Sequence, residues 1–169
     1  INNYILREAR GSWGAGIPVG LAEDAGQLYE IEDNANAELF RHHVIAFRQW
    51  MREHGERGKP LIISGYGVQM PSEYLGDGDA KAGDERVKAF MLETFEFLRK
   101  AQDAELGYPA DGNRLVQRWA WYSLNDKPYD ADTGEGSNGT LFAPSGSQGA
   151  AELTIFGRAF ADYMATLGQ

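Results

Sequence analysis

The sequence predicts an α/β fold with parallel strands, on the basis of two observations. Short apolar, β-prone runs alternate along the chain with longer segments in which apolar residues recur every three or four positions. Three such units follow one another, each with the strand before the helix, which is the order found in parallel α/β folds. Since no repeat or linker divides the chain, residues 1–169 are expected to form a single domain.

The first unit begins with a β-prone strand, INNYIL, at residues 1–6. The segment GSWGAGIPVG that follows it is rich in Gly and contains Pro, which predicts an irregular loop. Between residues 36 and 54, apolar side chains recur at helical spacing with Arg and Glu between them. This segment is therefore predicted to be an amphipathic helix that ends before Gly55.

The second unit opens with the segment PLIISGYGVQMP at residues 60–71. Its apolar run Leu61–Ile63, bounded by Pro and Gly, predicts a buried strand of a parallel sheet. A loop is predicted over residues 66–83, and the helix after it is expected to start at an Asp84 N-cap and to stop near Gly107.

The third unit has a β-prone strand within RLVQRWAWYSL at residues 114–124, a loop over 125–150 and a helix over 153–167. The loops after the three strands are about 30, about 18 and about 26 residues long, against about 5 to 7 residues before the second and third strands. In a (β/α)8 or TIM barrel the loops after the strands build the active site, so this asymmetry favours a portion of a TIM barrel with outer helices. A doubly wound sheet would place ligands at the same strand ends and remains the alternative.

Charge and composition restrict the partners. Asp and Glu number 25 against 16 Lys and Arg, and the net charge of -9 disfavours a nucleic acid or an anionic membrane as partner, whereas a neutral ligand stays open. The absence of cysteine excludes disulfides, a thiolate nucleophile and Cys-ligated metals. The first residues, INNYILREARG, lack the features of a signal peptide, so a secreted and a cytoplasmic location are both compatible with the sequence.

No metal or cofactor is predicted. The three histidines, His42, His43 and His54, lie on the first helix without acidic partners at ligand spacing. The acidic loop around Asp130 and Asp132 lacks the third ligand and the closing Glu of a calcium loop.

Four segments carry a resemblance to a known family: INNYILRE, FRQWMREHGERGKPLIISGYGV, VQRWAWYSLND and the pair NGTLF and ELTIFGRAFADYM. Together they resemble the last three βα units of clan A retaining glycoside hydrolases, the cellulase-like (β/α)8 barrels. The resemblance implies hydrolysis of β-glycans or β-glycosides by double displacement. In the family, the penultimate strand ends in a Glu-Tyr-Gly or Glu-Phe-Gly segment whose Glu is the nucleophile, and here that segment is Gly65-Tyr66-Gly67.

The resemblance also implies which side chains contact the sugar. The family's last strand carries an aromatic-Ser step whose ring supports the sugar, and both Trp121 and Tyr122 fit it, before Ser123. Trp13, in the Gly-rich loop, is a further aromatic candidate because flat apolar rings stack on sugar rings. The candidate substrate-binding residues are Trp121, Tyr122, Tyr66, Tyr4, Asn2, Asn3 and Trp13.

Two departures from the family pattern predict that this form is inactive. Gly65 removes the nucleophile, and the strand that bears the family's acid/base Glu has no counterpart, because residues 1–6 match the sixth strand. Two loop carboxylates, Glu8 and Glu73, lack the rigid placement that a nucleophile needs.

Two alternative functions follow. One is a non-catalytic carbohydrate-binding module with an oligo- or polysaccharide as partner. The other is an assembly protein that completes its barrel with another copy or a complementary fragment, because an incomplete barrel leaves strand edges and barrel-facing residues such as Leu61 and Ile63 uncovered.

Overall fold

A computed structural model describes residues 1–130, 133, 135–143 and 152–168. The α-helices are α1 (Ala37–Glu53), α2 (Ser72–Leu75), α3 (Ala80–Lys100) and α4 (Ile155–Leu167). The strands are β1 (Ile62–Tyr66), β2 (Arg118–Trp121), β3 (Phe142–Ala143) and β4 (Glu152–Leu153). Two 3-10 helices, Ile31–Ala35 and Pro109–Asp111, complete the regular elements of this part of the chain.

The fold is mixed α/β and contains a small parallel sheet, as the sequence predicts. β1 pairs with β2 in parallel, with Ile62 opposite Arg118 and Ile63 opposite Trp119. The predicted first strand is reduced to one parallel bridge, between Asn2 and Gly65, on the other side of β1. The main-chain order across the sheet is therefore residues 1–6, β1 and β2.

A β-bulge interrupts β1. Tyr66 lies three positions after Ile63, whereas their partners Trp119 and Trp121 are only two positions apart, so β1 holds one extra residue. Ser64 and Gly65 consequently point to the same face of the sheet, and Tyr66 returns to the opposite face. This local reversal decides which side chains can form a site.

In the described part of the chain, the core lies on one face of the sheet, between the strands and helices α1 and α3. Leu61 and Ile63 are buried there, at 3% and 0% exposure, so the expectation that they face a barrel interior is wrong. Ile62 instead points to the other side and is 47% exposed. We call this second side the open face; its residues are Asn2, Tyr4, Ile62, Ser64, Gly65, Arg118, Ala120 and Tyr122.

Helix α1 is confirmed almost as predicted, and a buried arginine connects it to the sheet. Its N-cap, Asn36, accepts hydrogen bonds from the first free backbone N–H groups. Arg48 has no exposed surface; its guanidinium donates to the carbonyl of Lys59 at 3.0 Å and to Gln117 Oε1 at 2.6 Å. Because Gln117 Oε1 also accepts from the Leu61 amide, this network connects α1 to the amino-terminal ends of both β1 and β2.

Helix α3 begins and ends earlier than predicted. Its N-cap is Asp79, whose carboxylate accepts from the amides of Lys81 and Ala82. Asp84, the predicted cap, lies inside the helix and accepts a hydrogen bond from Ser72 Oγ at 2.6 Å, so it fastens α2 to α3. The helix stops at Lys100 because the next residues turn back to pair with the segment before β2.

The last predicted helix is confirmed as α4. The loop before it contains the short antiparallel pair β3 and β4, which the sequence does not predict. Asp132, named above in the acidic loop, lies outside the described residues. Within the ranges that are described, no helix is long and apolar enough to cross a membrane.

Candidate functional site

Four residues meet on the open face, at the carboxyl ends of the parallel strands. They are Asn2, Tyr4, Gly65 and Tyr122, and we call them the strand-end cluster. Ser64 joins them, because its hydroxyl donates to Asn2 Oδ1 at 2.9 Å. Parallel α/β folds bind their ligands at this edge of the sheet, so the cluster is the first candidate for a site.

Gly65 lies at the centre of this cluster. A Cβ atom on Gly65 would lie 3.3 Å from the Tyr4 hydroxyl oxygen and 3.4 Å from Asn2 Oδ1, so a side chain here would point between these two groups. The φ angle of Gly65 lies outside the left-handed region, so its backbone does not require glycine. Gly67 differs, because a Cβ there would lie 2.2 Å from the Tyr122 carbonyl oxygen.

The two tyrosines of the cluster hold each other in place. Their rings meet edge to face, with centroids 6.4 Å apart and an angle of 79° between the planes. Burial raises the pKa of the Tyr4 hydroxyl, with Tyr122 adding to the shift. The hydrogen bond to Asp126, followed by burial, raises the pKa of Tyr122, so both hydroxyls stay neutral at physiological pH. Tyr122 is 43% exposed and offers part of its ring to solvent.

Asp126 is a member of the site that the sequence analysis missed. Its Oδ2 accepts the Tyr122 hydroxyl at 2.9 Å, and this hydrogen bond is the main cause that lowers the pKa of Asp126. Asp126 sits four residues after Tyr122 in a loop rich in Gly, Ser and Asp. Nothing in the local sequence distinguishes it from the other acidic residues of that loop, so only the three-dimensional structure identifies it.

Trp121 and Tyr66 point away from the strand-end cluster. Tyr66 has no exposed surface, and its hydroxyl bonds Thr94 on α3. Trp121 packs edge-on against Tyr66 with centroids 5.3 Å apart, and its indole N–H donates to the Gly139 carbonyl at 2.8 Å. Alternation along β2 separates Trp121 from Tyr122, and the bulge in β1 turns Tyr66 into the core. We therefore do not retain either residue as a sugar contact.

Asn3 also faces the core rather than the cluster. Its amide donates to the Phe40 carbonyl at 3.4 Å, and its Oδ1 accepts from His43 Nδ1 at 2.9 Å. The other ring nitrogen of His43 accepts the Tyr29 hydroxyl at 2.7 Å, and burial is the main cause that lowers the pKa of His43. This arrangement suits a neutral histidine that joins α1 to the N-terminal segment.

A groove of about 460 Å³ runs beside the N-terminal segment. The cluster residues Asn2 and Tyr4 line it, together with Tyr29, His43 and Phe47. Trp13, in contrast, is half-buried in the loop after this segment. Its ring pairs with no other aromatic ring among the residues that the structure describes.

Neutral groups surround Gly65 most closely. The three atoms nearest to a Cβ at this position belong to Tyr4 and Asn2, and none is a carboxylate oxygen. Glu8 is exposed and accepts from the Gln27 amide at 3.0 Å, and Glu73 is exposed on α2. Across the described ranges, no group of three or more His, Cys, Asp or Glu residues could hold a metal ion.

Comparison with protein-family models, with curated proteins and with solved structures found no match to this chain.

Proposed function

We propose that this chain is a portion of a glycoside hydrolase-like (β/α)8 barrel that binds β-linked glycans at the strand-end cluster and does not hydrolyse them in this form. The observation that carries the proposal is the geometry at Gly65. A side chain at this position would point between the Tyr4 hydroxyl and Asn2 Oδ1, at the strand end where the resembled family carries its nucleophile.

Hydrolysis with retention of configuration needs two carboxylates. One attacks the anomeric carbon and the other protonates the leaving oxygen, at a separation of about 5 to 5.5 Å. Gly65 supplies no carboxylate, and its nearest neighbours are a neutral phenol and a neutral amide. The cluster therefore lacks the group that would form the glycosyl-enzyme intermediate.

Glycan binding, unlike hydrolysis, needs only groups that the cluster contains. An exposed aromatic ring can stack on the apolar C–H face of a sugar, and Tyr122 offers such a ring, steadied by Tyr4. Asn2 and Ser64 add neutral hydrogen-bonding groups beside it, which suit sugar hydroxyls. With a net charge of -9, the chain favours neutral over acidic glycans.

Calorimetric titration with β-linked oligosaccharides tests this proposal. Tyr122→Ala should weaken binding by about 1 to 3 kcal/mol, the usual loss when an aromatic anchor is truncated. Tyr74→Ala is the matched control, because Tyr74 is equally exposed at 46% but lies on α2 rather than on the sheet. Trp121→Ala should lower the stability of the fold instead, since Trp121 packs in the core. Equal affinity of the Tyr122→Ala variant and the parent protein would remove the cluster as a glycan site.

A further inference from the structure

We propose that Asp126 is a positioning residue that holds the Tyr122 ring in the orientation needed to stack on a sugar. This inference rests on the proposed function and adds a residue that the segment resemblance does not assign. Asp126 accepts a hydrogen bond from the Tyr122 hydroxyl and is not one of the four residues of the strand-end cluster.

The Tyr122 ring is held at two points. Its hydroxyl donates to Asp126 Oδ2 at 2.9 Å, and its edge meets the Tyr4 ring. A tyrosine with two fixed points keeps its orientation although 43% of its surface is exposed. Binding then costs less conformational entropy than it would with a freely rotating ring.

Asp126 can act as a fixed acceptor because the chain anchors it from several sides. Its backbone amide donates to Ser123 Oγ at 3.0 Å, and its carbonyl accepts from Thr140 Oγ1 at 3.0 Å. Its carboxylate accepts from Ser137 Oγ at 3.1 Å and from the Lys127 amide at 2.9 Å. These bonds join the start and the end of the loop after β2, so the loop fixes the carboxylate and the carboxylate fixes the ring.

The charge of Asp126 gives the arrangement a pH dependence. The hydrogen bond from Tyr122 lowers the pKa of Asp126 below its ordinary value, so the carboxylate stays ionised in mildly acidic solution. Lys127, on the same loop, is the cation nearest in sequence, and it is itself paired with Glu135. Glycan affinity should therefore stay constant as the pH falls to the ordinary pKa of an aspartate side chain, and should decline only below that pH.

A double-mutant cycle tests the inference. Asp126→Ala should weaken β-glycan binding about fivefold in the parent protein, the scale expected for freeing one side chain. In a Tyr122→Phe background, which keeps the ring and removes the hydroxyl, Asp126→Ala should cause no further loss. Glu135→Gln is the control, because it removes a charge from the same loop without contact to Tyr122.

A spectroscopic measurement separates this inference from the proposed function. In protein labelled at the tyrosine Cζ carbon, Asp126→Ala should lower the pKa of Tyr122 in the NMR titration, whether or not a glycan is present. Glycan binding that responds equally to Asp126→Ala with and without the Tyr122 hydroxyl overturns the positioning role alone. A parent protein that binds no β-glycan overturns the proposed function and, with it, the role of Asp126 in sugar binding.

Discussion

A carboxylate side chain introduced at position 65 would point into the strand-end cluster. The φ angle of Gly65 lies outside the left-handed region, so its backbone does not require glycine, and the 3.3 Å approach involves only the hydroxyl at the far end of the Tyr4 side chain. We predict that Gly65→Glu gains the first half of a retaining reaction on 2,4-dinitrophenyl β-glycosides, whose leaving group needs no proton. The introduced carboxylate forms a bond to C1 while the bond from C1 to the aryl oxygen breaks and dinitrophenolate leaves.

The expected result is a burst of dinitrophenolate that approaches one equivalent of protein, with a matching sugar adduct in the mass spectrum. Ala120→Glu is the control, because Ala120 is exposed on the same face of the sheet but lies two residues before Tyr122. The same burst from both variants, or no burst from a folded Gly65→Glu variant, would refute the assignment of position 65.

At the scale of single residues, the sequence predicts the right strand ends but not the right faces. Gly65 and Tyr122 lie together as expected, since both follow from the positions of β1 and β2. Tyr66 and Trp121 lie on the core side instead. One extra residue in β1 changes the face of Tyr66, and alternation along β2 places Trp121 on the face opposite to Tyr122. A bulge of this kind depends on pairing with a distant strand and leaves no mark in the local sequence.

At the scale of elements, the amino-terminal end of α3 depends on a single N-cap residue, Asp79. We predict that Asp79→Ala lowers the free energy of unfolding by about 1 kcal/mol, because the amides of Lys81 and Ala82 lose their acceptor. Asp79→Asn should cost only a few tenths of a kcal/mol, since its amide oxygen also caps. Urea denaturation measures both, and equal stability of Asp79→Ala and the parent protein would contradict the assignment of this cap.

Glu96 connects α3 to α4 and makes their contact sensitive to acid. An ion pair with Lys100, then the hydroxyl of Tyr163 at 2.8 Å, lowers the pKa of Glu96 to about 2 from an ordinary 4.5. A carboxylate with a lowered pKa stabilises the fold above its unfolded-state pKa, and the contribution disappears as the pH falls toward the folded-state value.

The free energy of unfolding should therefore decrease between about pH 4.5 and about pH 2, by less than the full pKa shift implies because Glu96 is partly exposed. Tyr163→Phe should flatten this decrease, whereas Glu85→Gln, on the same helix but paired with Lys88, should leave it unchanged. Urea denaturation at a series of pH values measures the slopes, and identical slopes for Tyr163→Phe and the parent protein would contradict the coupling.

The helices were the most predictable elements, since their apolar spacing is a local property of the sequence. α1 and α4 match their predicted ranges closely, because a glycine follows the last residue of each helix within two positions. α3 differs because two aspartates compete as its N-cap, and the short helix α2 decides between them by engaging Asp84. Such a choice depends on tertiary contact and not on spacing.

At the scale of the whole molecule, the residues that the structure describes cover the sheet on one side only. Parallel sheets are ordinarily covered on both faces, because their strands carry apolar side chains in both directions. Here α1 and α3 bury Leu61 and Ile63, while Ile62 and Tyr122 remain exposed on the open face at 47% and 43%. In the proposed barrel portion, the open face would correspond to the barrel interior.

We therefore predict that the chain associates with itself as its concentration rises, because association removes Ile62 and its neighbours from water. Ile62→Lys should shift light scattering toward the monomer, since a charged side chain on the open face opposes pairing. Ile45→Lys is the matched control, because Ile45 is 38% exposed on α1, away from the sheet. A parent protein that stays monomeric across the accessible concentrations and unfolds in one sharp thermal transition would show that the open face is stable in water, and the comparison with an incomplete barrel would then fail.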